Sequence, residues 1–456
     1  MENVNTIGKD FNLKQLAKFV AAPVITRLFV SILQTMDDSL FISRYCSENA
    51  LAAFTVAMPW FMIIDAIGML CSSVSISCSI KLGEKQNEEA KSDFTTMCIV
   101  TLICGLFITL ILSLFLEPIL KLLGETDVLM PYVKTYMNVS RFYAPLSLLN
   151  YVTSQFYVIA GKPKCSMYTT IIQIFCNLFF DWLLIAKLRI GIVGAAYANL
   201  AGFSALAIFA FVFYSNKNRE IHFVKPQSEI KPLFKEVFRL GKPQVITSLS
   251  ISFSSYLSNI INLDLGGEML VAASTIVNNV QFMFMNSMFA LIGTTSPIIS
   301  YAYGEKNDKK LAKTFKQTAI LVTILIGIIA LAYIGGKDII LNLYLTESGK
   351  DDIRQLAIFG MKVAPIFFLF FGYNVLAQSF FNSVSNSKIS TTLSVIENII
   401  LNNLTTLLLP RLFGINAVWF TFGVAELFTF GFSLFALYKN KDVYGLGKDG
   451  IATFAH

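Results

Sequence analysis

Six carboxylates stand well inside long apolar runs of this chain, away from their ends: Asp37, Asp38, Asp65, Asp181, Glu397 and Glu426. Only three cations do so, Arg27, Arg141 and Lys362. Asn177 precedes Asp181 by four residues, a spacing that puts amide and acid on one face of a helix. Asn150, Ser154 and Gln155 add neutral oxygens in a neighbouring run. Carboxylates accompanied by amide oxygens suit a hard cation or a transferable proton. A carboxylate that holds a proton or a cation, but not both, is the smallest device that can exchange one for the other. His222 lies in a basic connector and His456 at the chain end, so acids must carry any proton that crosses the apolar runs.

Other chemistries find less support. The seven cysteines, Cys46 to Cys176, lack CxxC pairing and read as small packing residues rather than a disulfide or metal framework. No nucleophile and base, and no set of metal ligands, converge in the sequence. Neither an enzyme nor a cofactor is expected.

The elements that must position these acids are set by composition. Hydrophobic residues make up 55% of the 456, charged residues only 14%, with 41 Phe. Ordinary soluble domains carry roughly a quarter charged residues. Backbone polar groups in lipid are satisfied only by helices or closed barrels, and a bilayer core of about 30 Å takes about 20 residues of helix. The runs are long and unbroken, so helices are expected. Twelve spans are legible, near 15–43, 50–80, 92–116, 132–160, 165–187, 191–215, 241–263, 269–302, 314–342, 354–384, 389–411 and 415–438. The polar start of the chain reads as lacking a cleavable signal.

Net charge is +7, but its distribution argues for a membrane rather than nucleic acid. With a cytoplasmic N-terminus, the segments on that side hold 24 Lys and Arg against 9 on the other. By the positive-inside rule both termini are expected to be cytoplasmic. In the longest connector, "EIKPLFKEVFRLGKP" alternates apolar and basic residues at helical spacing, as an amphipathic helix on the membrane surface would.

The chain repeats itself. "KLGEKQNEEAKSDF" from Lys81 returns as "AYGEKNDKKLAKTF" from Ala302, with Gly83 and Gly304 221 residues apart. Pro23 is echoed by Pro243 and Pro145 by Pro365, "ENALAAFTV" by "EMLVAASTI", and "GIVGAA" from Gly191 by "GINAVW" from Gly414. Six spans separate the repeated loops, so the two halves cross the membrane in the same direction. The expected architecture is an all-α integral membrane protein of twelve helices in two six-helix lobes. These occupy residues 1–215 and 241–456, joined by 216–240. Such lobes can rock and open a central cavity to one side at a time, which points to a transporter.

"PVITRLFVSILQTMDDSLFISRYCSENALAAFTVAMP" (Pro23 to Pro59) resembles the first two helices of the multidrug and toxic compound extrusion (MATE) transporters. "KLGEKQNEEAK" resembles that family's loop after helix two, and "GKPKCSMYTTIIQIFCNLFFDWLL" its Gly-x-x-Lys loop and fifth helix. The resemblance covers essentially the whole chain. It implies export of organic cations in exchange for protons or sodium ions. In one sodium-coupled branch, helices seven and ten of the second lobe carry acids. Here span seven has none before Asp264, and span ten has Lys362 but no acid past Asp352. The first-lobe acids instead resemble the DinF-like branch.

Coupling is therefore assigned to Asp38, Asp181, Asn177 and Asn150, with sodium, if it binds, at Asp38, Asp181 and Asn177. In the second lobe, Asn259 falls near Ser39, Asn402 and Asn403 near Asn177, and Thr405 and Thr406 near Asp181. The duplicated site reads as neutralised. Candidates for a substrate cavity are Gln34, Asp65, Gln155, Asn278, Gln281, Glu397 and Glu426. Plainer readings stand beside these. Asp37 reads as a boundary carboxylate near Arg44, and Arg141 as a structural counter-ion for Asp181. Asp65, Glu397 and Glu426 are equally packed neutral acids, and Lys362 snorkels outward. The expected partners are small organic cations and membrane lipids, and the expected state is a monomer. The alternative function is a flippase for lipid-linked oligosaccharides, but that cargo needs a cationic cavity and the apolar runs are acidic on balance.

Overall fold

The computed structural model describes residues 6–33, 38–122, 128–344 and 351–449. Those residues are mostly helical, with no strand among them. In chain order the helices are α1 (Leu13–Leu33), α2 (Asp38–Tyr45), α3 (Glu48–Ser72), α4 (Val74–Gly83), α5 (Asn87–Leu122), α6 (Met130–Ser140), α7 (Tyr143–Ile159) and α8 (Pro163–Asp181). A π-helical turn, Trp182–Lys187, leads towards α9 (Val193–Ser215), α10 (Ile230–Gly304), α11 (Asp308–Tyr344) and α12 (Asp351–Ser383). Then come α13 (Ser387–Ser394), a second π-helical turn (Val395–Leu401), α14 (Asn402–Phe413), a 3-10 turn (Ile415–Phe420), α15 (Thr421–Lys439) and α16 (Leu446–Asp449).

Nine of the described helices are long and apolar enough to cross a membrane. The twelve runs read from the sequence map onto these helices with these differences. The second is divided at Ser73, into α3 and α4, and the fourth into α6 and α7. The seventh and eighth are two helices that follow each other within α10 with no loop between them, meeting at a kink at Gly267 (φ 62°, ψ −159°), a conformation open to glycine. The basic connector is not a separate surface helix: α10 starts at Ile230 and continues unbroken into the seventh run. Its inner face (Leu233, Val237, Leu240) is buried while Lys231, Lys235 and Arg239 stay exposed. Ser73 at the α3–α4 junction donates to the Val237 carbonyl at 2.8 Å, which docks this first stretch.

The chain forms two compact units. The first holds residues 1–9 and 25–241, the second 10–24 and 242–456. The start of α1 thus belongs with the second unit, which departs from the lobe boundaries expected above. Its tether is polar: Lys313 of α11 pairs with Asp10 at 2.8 Å, and Gln317 donates to the Phe11 carbonyl at 3.1 Å.

The sequence repeat reappears in backbone detail. Lys85 and Lys306, in the matched loops, both take the left-handed conformation (φ 64° and 55°). Each is followed by an amide that bonds five residues back, Gln86 to Lys81 at 2.8 Å and Asn307 to Ala302 at 3.2 Å. Gly161 and Ser385 end α7 and α12 in the same way. These are Schellman caps, which close helix C-termini by satisfying otherwise orphaned carbonyls.

The break in the fourth run has a local cause. Pro145 has no N–H to give the Arg141 carbonyl, four residues back. The hydroxyl of Thr109 in α5 donates to that carbonyl at 2.7 Å instead. The helices meet closely there, because a Cβ on Gly105 would lie 2.3 Å from the Pro145 Cα. Thr109→Val should therefore cost about 1–3 kcal/mol, the range for orphaning a buried polar group. In a Pro145→Ala background, whose restored N–H can reach Arg141, the cost should shrink. Equal losses of thermal stability in both backgrounds would show that the carbonyl does not depend on Thr109.

Candidate functional site

The first unit places its acids where three apolar segments meet. Asp38 is the first residue of α2, which packs against the π-helical turn following Asp181. Helix α8 carries Asn177 and Asp181 one turn apart on one face. Asn177 donates Nδ2–H to Asp38 Oδ1 at 3.1 Å, and Asn199 of α9 donates to Asp38 Oδ2. Asn177 also donates to Asn199 Oδ1 at 3.3 Å. Asp38 is 3% exposed and Asp181 fully buried. In the same unit Ala50, Ala53, Ala57, Ala195 and Ala196 are buried in one cluster with Ile185. Small residues of this kind let membrane helices approach closely.

The chemistry follows from the donor set. A buried carboxylate costs several kcal/mol of lost solvation, and two neutral amide N–H donors recover only part of it. A proton or a cation would remove the remainder. The donor set is one that can take up a positive charge. Sodium fits the donor types, since carboxylate and amide oxygens are hard ligands.

The sequence-derived residues do not all gather here. Gln34 and Asp37 lie outside the described residues. Asn150 and Gln155 are half-buried on α7, and neither side chain makes a hydrogen bond to the Asp38 cluster. The position given to Asn150 is taken by Asn199, which sequence reasoning missed. Its only sequence signal was an amide alone in the apolar run of α9. Arg141 does not pair with Asp181 among the described residues. Its guanidinium lies 5.1 Å from the Phe142 ring centroid, which removes the reading of a structural salt bridge. Asp65 accepts from the Tyr143 hydroxyl at 3.2 Å and also meets Tyr151. Asn278 is exposed and Gln281 half-buried on α10, and Lys362 is exposed on α12.

Glu397 and Glu426, read from the sequence equally as cavity lining or as packed acids, are 5% and 2% exposed inside the second unit. Each is held by an amide of α12 that the sequence did not mark. Gln378 donates to Glu397 at 2.6 Å and Asn374 to Glu426 at 2.7 Å.

With this geometry in hand, comparison with known proteins is specific. The sequence model of the MatE family matches residues 23–183 and 243–408, one copy in each half. The multidrug export protein MepA of Staphylococcus haemolyticus is 22% identical over 424 residues, covering 92% of each chain. MepA of Staphylococcus aureus strain MSSA476 is 23% identical over 428 residues, covering 92% of this chain and 91% of that one. Among solved structures, MATE in the straight conformation superposes with a TM-score of 0.88 at 18% identity, over 98% of this chain and 99% of that one. A MOP superfamily transporter from Pyrococcus furiosus, described as having a binding pocket of reverse polarity, gives 0.87 at 18% identity over 98% and 99%. At such identities the structures establish a shared fold.

The Asp38 cluster makes its own prediction. Asn199→Leu removes one of two amide donors to a buried carboxylate and should cost about 1–3 kcal/mol of stability. Adding Asp38→Asn should recover much of that loss, because no charge is then left under-solvated. Thermal unfolding of the purified single and double variants reads this directly. Additive losses would mean that Asn199 acts through packing alone.

Proposed function

The chain belongs to the MatE family, whose members are membrane transporters and not enzymes, and from that premise we propose that it exports small organic cations by antiport against protons or sodium ions. The observation that carries the proposal is Asp38, a buried carboxylate met by Asn177 and Asn199. An ion that neutralises Asp38 and an organic cation that competes for the same negative charge are coupled by electrostatics alone. Asp181, one turn past Asn177 on α8, is the second coupling acid.

The cargo class rests on charge balance and relatives. Six acids against three cations in the apolar runs favour positively charged substrates over the phosphates of a lipid-linked sugar. The MepA proteins are named as multidrug exporters. Both termini are read as cytoplasmic, on the 24 to 9 distribution of Lys and Arg. The chain is read as working as a monomer in the cytoplasmic membrane.

The test is ethidium efflux from vesicles holding the purified protein, under an imposed proton gradient or an imposed sodium gradient, each alone. Efflux is expected under at least one of them. Asp38→Asn and Asp181→Asn should each lower gradient-driven efflux more than tenfold while the protein stays folded and inserted. Wild-type rates from Asp38→Asn would retire the coupling role. Movement of a lipid-linked oligosaccharide with no ethidium transport would favour the flippase.

A further inference from the structure

The second unit encloses a pair of acids that the antiport reading does not use. Glu397 lies in the π-helical turn Val395–Leu401, where the Asn402 amide bonds back five residues to the Glu397 carbonyl. Glu426 lies on α15. Between them α12 presents Asn374 and Gln378, four residues apart on one face. Gln378 donates Nε2–H to Glu397 Oε2 at 2.6 Å, and its own Oε1 accepts from Ser394 at 2.7 Å. Asn398 donates to Glu397 Oε1 at 3.4 Å. Asn374 donates Nδ2–H to Glu426 Oε2 at 2.7 Å and to its backbone carbonyl at 2.9 Å. Helix α15 packs against that π-helical turn. No Lys, Arg or His pairs with either among the described residues.

An independent observation shows what is missing. Asn374 is fully buried, and its Oδ1 has no hydrogen-bond partner. The same amide's nitrogen is committed to Glu426, so the oxygen, bonded to the same carbon, lies beside the cluster. An orphaned buried acceptor costs about 1–3 kcal/mol. It is an acceptor beside two more acceptors, so no rearrangement of the amides supplies what all three need. A donor or a cation does. A proton on Glu426 would offer its O–H to Asn374, and a sodium ion would take oxygens from Glu426, Glu397 and Asn374 together.

We propose that Glu397, Glu426 and Asn374 form a second site for one monovalent cation, a proton or a sodium ion, inside the second unit. The site is not the duplicate of the Asp38 site. The matching left-handed turns at Gly161 and Ser385 put Glu397 opposite Gln173 of α8, and those at Gly191 and Gly414 put Glu426 opposite Phe203 of α9. No acid of the first unit corresponds to either. Each unit has built its charge-binding site from different helix positions. The inference extends the antiport reading but is measured by binding, so either can fail without the other.

The experiment removes the first site and asks what remains. Asp38→Asn/Asp181→Asn protein in detergent is titrated with sodium chloride at fixed alkaline pH, with choline chloride as control. Separately, it is taken through a pH series in choline chloride alone. Thermal stability is read in both arms. A saturable rise with sodium marks a sodium site, and a rise confined to the acid end of the pH series marks a proton site. Adding Glu426→Gln should abolish whichever rise is seen, and Glu397→Gln should weaken it at least tenfold in midpoint concentration. No response in either arm, or a response that survives both substitutions, overturns the proposal. Should Glu426→Gln not fold, Asn374→Leu tests the same site, because it deletes the orphaned oxygen and should shift the midpoint in the same direction.

Discussion

A carboxylate enclosed by apolar helices must be given a positive charge or lose its own. Most of the polar architecture of this protein answers that constraint. Lipid offers no water to share the charge, and neutral amides spread it without cancelling it. Asp38 receives two amide donors and Glu397 and Glu426 one strong donor each, and no arginine or lysine pairs with the two glutamates. A permanent salt bridge would have stabilised these sites and ended their usefulness, since a group already neutralised has no affinity left for a travelling ion. Arg141, in the same unit as Asp181, packs over Phe142.

The backbone obeys the same rule and shapes the sites in doing so. Proline at 145 orphans a carbonyl, and Thr109 reaches across from α5 to satisfy it. In both halves the helix bearing candidate acids contains a π-helical turn, after Asp181 in one and around Glu397 in the other. A single extra residue in a turn rotates everything beyond it by about 100°, so it re-aims side chains that a regular helix would bury elsewhere. Such turns occur often at functional sites, where their looser hydrogen bonding is tolerated in return for placement.

Duplication supplied two similar scaffolds, and the scaffolds kept their turns more faithfully than their polar residues. The Schellman caps at Lys85 and Lys306 are nearly superposable in hydrogen-bond pattern, although lysine is a poor choice for a left-handed conformation. A cap is a local requirement, so it survives as long as the helix must stop there. A binding site is a relation between helices. It can be lost at one set of positions and built at another while every helix end stays in place.

What the sequence determined by itself was whatever depends on neighbours along the chain. Apolar length announced the helices, the recurring loop announced the repeat, and the Asn177–Asp181 spacing put two site residues on one face. The acids were visible because ionisable groups are conspicuous in apolar runs. Only the tertiary structure decided which neutral partners they meet. Asn199 rather than Asn150 faces Asp38, and Asn374 and Gln378 hold acids that looked like cavity lining. Amides are common enough in such helices to carry little signal individually. Their meeting depends on helix rotation and on π-turn register, quantities fixed by packing between segments tens of residues apart and not by the order of residues within any one of them.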